Sequence, residues 1–244
     1  MSFGESARLF NEVRRNHYAA GLLDEIARIF GPPAGQRLID LGCGTGIGTR
    51  HLSDRGFDVV GVDPDRDMID EARSLGGAAG YDVMSAGRLN FGDGTFHGAT
   101  AFSAFQFFCD DKSVREIGRV LRPGGCFVVV NRSNRGPLQQ LIAEVVRHHT
   151  GLAVTDPREG YQPASILRNG GFVRIEERRR ESIERLSAEA AISYARTTHF
   201  WQQVPRISHD AIDQEVRARI MSQVDPTGHL ARAVDTTIVF GHRQ

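Results

Sequence analysis

A chain of 244 residues with 40% hydrophobic and 25% charged side chains has apolar material for a sizeable core, which excludes disorder as its main character and is compatible with one or two domains. Thirty basic side chains against thirty acidic ones leave it formally neutral, without the cation excess that phosphate-backbone or anionic-membrane binding needs. Cys43, Cys109 and Cys126 never form a C-x-x-C pair, which speaks against a disulfide framework and a zinc cluster.

In chain order, the apolar residues Leu9, Phe10, Val13, Tyr18, Leu22, Leu23, Ile26, Ile29 and Phe30 recur at helical spacing and stop at Gly31-Pro32-Pro33, predicting an N-terminal helical segment over residues 1–31. This segment has no apolar signal-peptide stretch and the chain has no long apolar run, so a cytoplasmic protein without a membrane partner is expected. Arg37–Leu41 reads as a strand, Gly42-Cys43-Gly44-Thr45-Gly46 as a glycine turn, and Ile47–Arg55 as a helix. Phe57–Val62 is a second strand closed by Asp63-Pro64, and the acidic start of a helix over Asp65–Ser74 suits the helix dipole.

A third strand is expected over Ala78–Val83, a fourth over Ala99–Phe105, a helix over Ser113–Leu121 and, after a Pro123-Gly124-Gly125 turn, a fifth strand over Cys126–Val130. A helix over Pro137–His149, a loop over Thr150–Gly160, a sixth strand over Gly170–Ile175 and a seventh over Ala233–Phe240 follow, with a helical insertion over 187–224 between the last two strands. Arg178-Arg179-Arg180 lies among Glu176, Glu177, Glu181 and Glu184 and reads as a solvated, charge-balanced face. The alternation predicts an α/β fold in one domain over 1–244, a doubly wound and mostly parallel seven-stranded sheet with helices on both faces.

Glycines directly after a first strand let the backbone approach a ligand closely and make that turn a nucleotide site in doubly wound folds. Glycines 42, 44, 46 and 48 alternate, so the sixth position from Gly42 is Ile47 and from Gly44 is Thr49, and the dinucleotide fingerprint is broken. Leu38–Gly46 instead resembles the first motif of the S-adenosylmethionine-dependent methyltransferases with the Rossmann-like fold. Asp63, 21 residues after Gly42, sits where a carboxylate can accept from both ribose hydroxyls, and the resemblance makes it the ribose-binding acid. Asp63-Pro64 followed by Met68-Ile69 is similar to the family's usual continuation, with Met68 against adenine.

Met84–Phe91 and Asp93–Phe96 resemble the family's third-strand segment with two departures. Ser85 stands where many members carry an acid for the adenine amine, with Asp82 as an alternative acceptor, and His97 stands where they carry Asp. Arg119–Gly125 resembles the last helix and turn before the fifth strand. The resemblance covers residues 36–131 and implies S-adenosyl-L-methionine as cofactor and an antiparallel last strand. It assigns cofactor contacts to Asp40, Gly42, Cys43, Gly44, Asp63, Pro64, Met68, Ser85, Ala86, Ser103 and Tyr18.

Methyl transfer is an in-line displacement that needs a positioned nucleophile and, for a hydroxyl or protonated amine, a proton acceptor. Candidate bases are His199 and His17, since imidazole titrates near neutrality, and family lids fold over the cofactor from these two segments. Phe105, Gln106, Tyr194 and Trp201 are candidate substrate contacts, with the 187–224 insertion as a helical lid. Phe102–Phe108 lacks the Asp/Asn-Pro-Pro-Tyr/Phe motif of members that methylate nucleobases. The adjacent His148 and His149 make no metal set, and no metal is expected. The implied activity is transfer of a methyl group to an O, N or C nucleophile of a small molecule, with nucleic acid not expected as a partner. Open alternatives are a relative that binds the cofactor for decarboxylation or cyclisation, and a tRNA or protein methyltransferase. No residue pattern selects an oligomeric state.

Overall fold

The computed structural model describes residues 7–77, 80–133, 136–151 and 156–244. The expected start of the third strand at Ala78, the first residues of the N-terminal segment and 152–155 of the expected loop lie outside the described residues. The helices are α1 (Ala7–Arg14), α2 (Ala20–Phe30), α3 (Ile47–Ser53), α4 (Arg66–Ser74), α5 (Asp111–Val120), α6 (Pro137–Thr150), α7 (Pro163–Asn169), α8 (Ala188–Arg196), α9 (His199–Gln202) and α10 (His209–Met221). The strands are β1 (Arg37–Leu41), β2 (Asp58–Asp63), β3 (Gly80–Val83), β4 (Phe96–Phe102), β5 (Leu121–Ser133), β6 (Phe172–Ser187) and β7 (His229–Arg243).

They form one sheet in the order β3-β2-β1-β4-β5-β7-β6, mixed, with an antiparallel last strand. The first five strands in that order run parallel, in registers such as Leu38 opposite Val59, Leu38 opposite Gly98 and Thr100 opposite Val128. The chain winds outward from β1 to β3 and then returns to place β4 on the other side of β1. That reversal opens a crevice at the carboxyl ends of β1 and β4, where doubly wound sheets bind ligands.

Local chemistry explains most boundaries. The Asp65 carboxylate accepts from the N–H groups of Asp67 and Met68 and starts α4. Asp110 does the same for Ser113 at α5 and Ser187 for Ala190 at α8. Pro137 opens α6, and Gly151, at φ 65°, ends it.

Several expected boundaries are corrected. β4 spans Phe96–Phe102 rather than Ala99–Phe105, because Ser103 takes φ 52° and residues 105–107 coil into a short 3₁₀ turn. β5 begins at Leu121, which pairs with Phe96. Pro123-Gly124-Gly125 is then an excursion within the strand, after which Cys126 pairs with Gly98. β6 and β7 are much longer than their apolar stretches: β6 continues through exposed, charged residues, whereas β7 alternates along its length, with Leu230, Arg232 and Val234 buried. Helix α7 was not foreseen, its short Pro163–Asn169 stretch burying only Leu167.

Contacts divide the chain into two compact units. One comprises Arg15–Asn131, Gly160–Arg178 and Thr237–Gln244, and its core joins Ile39, Leu41, Val60, Val62, Phe96 and Phe127 from successive strands to Val114 and Ile117 of α5. The other comprises Met1–Arg14, Arg132–Glu159 and Arg179–Thr236. Its core is helical, formed by Leu138, Ile142 and Val145 of α6 and Ile212, Val216 and Ile220 of α10, both sets spaced three or four residues apart, together with Ala191, Ile192 and Ala195 of α8. No helix among the described residues is long and apolar enough to cross a membrane.

Candidate functional site

β1 delivers the chain into the glycine turn at the sheet's reversal point. Gly42 has φ 64°, and a Cβ placed on it would lie 2.7 Å from the Ala104 Cβ and 3.0 Å from the Phe108 ring, so this side of the turn is pressed against the segment after β4. Gly44 has φ 54° and faces the opposite situation. Among the described residues, a Cβ there would meet nothing nearer than the Met68 sulfur at 4.0 Å, which leaves a strip of bare backbone.

Asp63, the last residue of β2, is fixed next to that strip. The Gly44 N–H donates to its Oδ2 and the Asp65 N–H to its Oδ1, both at 2.9 Å. Burial raises its carboxyl above the usual carboxylate range, opposed by those two hydrogen bonds. Each oxygen keeps a lone pair for a further donor, which suits a vicinal diol.

Asp40 lies beneath the turn, 1% exposed, accepting from the Thr49 hydroxyl at 2.7 Å and the Thr100 hydroxyl at 2.8 Å. It ties β1 to α3 and β4 and so acts on the turn from below. Burial pushes its carboxyl from 3.8 to about 6, against the two threonine hydrogen bonds and with help from the Asp63 charge. The folded state therefore holds this proton more tightly than the unfolded chain. Its stabilising effect is full below about pH 4 and is lost as pH rises through about 6, amounting to about 3 kcal/mol. In urea unfolding, wild type is expected to lose stability relative to Asp40→Asn across that window; parallel profiles would contradict the shift.

Cys43 donates its backbone N–H to the Val62 carbonyl at 3.0 Å. Burial and the charges of Asp40 and Asp63 push its thiol well above the ordinary range, so it stays protonated and is no nucleophile. Met68 is 3% exposed beneath Gly44, Pro64 is exposed, and Asp82 is exposed and paired with Arg73 at 3.6 Å. Ser85 is exposed, its Oγ accepting from the Gly87 N–H at 3.3 Å, and Ala86 is buried beside it.

The end of β4 gathers further groups in the same unit. The Tyr18 hydroxyl donates to Ser103 Oγ at 3.3 Å, and its ring lies 5.1 Å from that of Phe102. His17 is half-buried and sits edge-on to Tyr18 at 5.1 Å. Phe105 is fully buried against Phe108, Phe127 and Tyr161, which corrects the expected substrate contact to a core residue. Gln106 donates to the Ser103 carbonyl at 2.8 Å while its Oε1 is buried without a hydrogen-bond partner among the described residues. Asn131, which ends the apolar run of β5, likewise buries an Oδ1 that has no partner among the described residues. Sequence reasoning missed Asn131, although an amide directly after Phe127-Val128-Val129-Val130 was a visible signal.

Tyr194, His199 and Trp201 belong to the helical unit. The His199 ring is 3.9 Å from that of Phe200, and Trp201 is half-buried against the helical core with its ring 5.2 Å from that of His209. Trp201→Ala is expected to lower unfolding free energy by about 2–3 kcal/mol, below the range for a fully buried Trp because the ring is half-exposed; a midpoint in urea equal to wild type would show that the ring does not stabilise this core.

Residues 39–129 match the family model of a methyltransferase domain. The chain is 32% identical over 125 residues to an uncharacterised methyltransferase of Mycobacterium bovis, covering 51% of this chain and 49% of that protein. It is 33% identical over 138 residues to a demethylmenaquinone methyltransferase of Corynebacterium kroppenstedtii, covering 51% and 58%. The chain thus spans about half the length of the curated relatives it matches. Among solved structures, a putative type II methyltransferase from Anaeromyxobacter dehalogenans superposes with a TM-score of 0.66 at 20% identity, over 92% of this chain and 96% of that one, a likeness of fold. With its glycine turn, its fixed acid at the end of β2 and its strand order, the stretch over residues 39–129 is similar to a methyltransferase domain, set in a sheet of the same fold as solved methyltransferases.

Proposed function

We propose that the chain is an enzyme that binds S-adenosylmethionine at the glycine turn and transfers its methyl group to an O, N or C nucleophile of a small molecule. The observation that carries this is the Asp63–Gly44 clamp, an acid with lone pairs to spare held 2.9 Å from a glycine whose outer face is open. Asp63 would take the ribose hydroxyls, the Gly44 backbone would lie along the methionine part, and Met68, Pro64, Ser85 and Ala86 would border adenine. Tyr18 and Ser103 would bound the same cofactor from the end of β4, with Gln106 beside them as a substrate contact. When bound, the sulfonium supplies an electrophilic methyl group. The chain's own contribution is to hold cofactor and acceptor in line and to remove a proton when the acceptor carries one.

His17 is the proposed proton acceptor in the unit that carries the glycine turn, because it is half-exposed and positioned by Tyr18. His199 is the second candidate, from the helical unit. A small-molecule acceptor in the cytoplasm fits the neutral charge, the absence of a nucleobase-methylation motif and the printed name of the Corynebacterium relative. The test is incubation with S-adenosylmethionine and fractionated metabolite extract. Formation of S-adenosylhomocysteine with a product heavier by one CH₂, abolished in Asp63→Ala, is expected. Turnover of extract components without S-adenosylhomocysteine would overturn methyl transfer.

A further inference from the structure

In the helical unit, four arginines from separate stretches of chain converge on Tyr194. The guanidinium carbons of Arg14 and Arg232 lie 4.1 and 4.3 Å from its ring centroid. Arg132 and Arg232 each donate to one oxygen of Glu184, so a single carboxylate is shared between two guanidiniums. Arg158 pairs with Asp156 at 3.3 Å and donates to the Arg132 carbonyl at 3.0 Å, which brings a further cation to the group.

Arg232 is the telling member. The side chains of Arg232 and Arg132 are only 5% exposed, yet Nε and Nη1 of Arg232 are buried with no hydrogen-bond partner among the described residues. Buried guanidinium donors left unmet are costly, and native proteins rarely leave them so without a reason. Tyr194 reports the local field independently. Burial would raise its phenol, but Arg14, Arg232, Arg158 and Arg132 outweigh it and hold the phenol below its ordinary range.

We infer that the arginines around Tyr194 form a binding site for a small oxyanion, the carboxylate or phosphate group of a small molecule. Such a group accepts several N–H bonds at once and supplies the negative charge that Glu184 alone divides between two cations. The site lies wholly on residues of the helical unit and does not depend on the cofactor assignment.

The test is calorimetry on the full chain with inorganic phosphate and with benzoate at constant ionic strength, sodium chloride serving as control. Saturable binding of at least one anion is expected, weakened about tenfold or more in Arg232→Met through loss of a charge-assisted donor set. Glu184→Gln is expected to tighten binding several-fold, because it releases donors of Arg132 and Arg232; a purely structural ion-pair cluster would instead lose thermal stability and gain no anion affinity. Absence of saturable binding of both anions to wild type overturns the site. So does binding that Arg232→Met leaves intact. If Arg232→Met is unfolded by circular dichroism, Glu184→Gln decides: tighter binding supports the site, and unchanged or weaker binding overturns it. S-adenosylhomocysteine titrated in parallel separates this outcome from that of the cofactor site.

Discussion

Asp63→Ala is expected to weaken S-adenosylhomocysteine binding by about 2–4 kcal/mol, roughly thirty- to a thousandfold, in a protein that still folds. Two effects add. The ribose hydroxyls lose their charge-assisted acceptors, and the Gly44 N–H loses the oxygen that holds the turn at 2.9 Å. The fold survives because Asp63 sits at the rim of the sheet, half-buried, and its burial already disfavours the charge. Asp63→Asn should fall between the two, since an amide keeps one acceptor oxygen but cannot accept from Gly44 and Asp65 together. Calorimetry showing equal affinity in folded Asp63→Ala would remove this residue from the site.

The second large effect separates two glycines of one turn. Gly42→Ala is expected to cost about 3 kcal/mol or more of stability, because the new Cβ would sit 2.7 Å from another Cβ and 3.0 Å from a ring carbon, on top of the strain at φ 64°. Gly44→Ala shares only the strain and should cost about 1 kcal/mol. Its penalty should appear in cofactor affinity instead, where a methyl group would fill the open strip beside Asp63. Urea unfolding and calorimetry on both variants check this; equal stability losses would mean that Gly44 also faces protein.

Much of the fold was legible because the parallel strands are short apolar runs ended by turn residues. Arg37–Leu41 was placed to the residue, and Pro137–His149 and the 187–224 insertion emerged as helices close to their expected bounds. The edges of the sheet were not legible in the same way. β6 extends through charged residues with weak apolar patterning, β7 reaches back through a buried arginine, Arg232, that interrupts its apolar alternation, and α7 has a single buried apolar residue. At the site, the glycine turn and Asp63 could be found by spacing. The two threonines that hold Asp40 could not, because Thr49 and Thr100 are distant in sequence from each other. The arginine cluster was invisible for the same reason, its members running from Arg14 to Arg232.

The most direct test is thermal unfolding of the full chain with S-adenosylmethionine, S-adenosylhomocysteine or NAD added in turn. Ligand that binds only the native state at a hundredfold excess over its dissociation constant adds about 2.7 kcal/mol, which for a chain of this size raises Tm by roughly 5–10 °C. That rise is expected with either sulfur-containing ligand and not with NAD. Stabilisation by NAD with no response to S-adenosylmethionine or S-adenosylhomocysteine would contradict the cofactor site at Gly44 and Asp63, and with it the proposed methyl transfer.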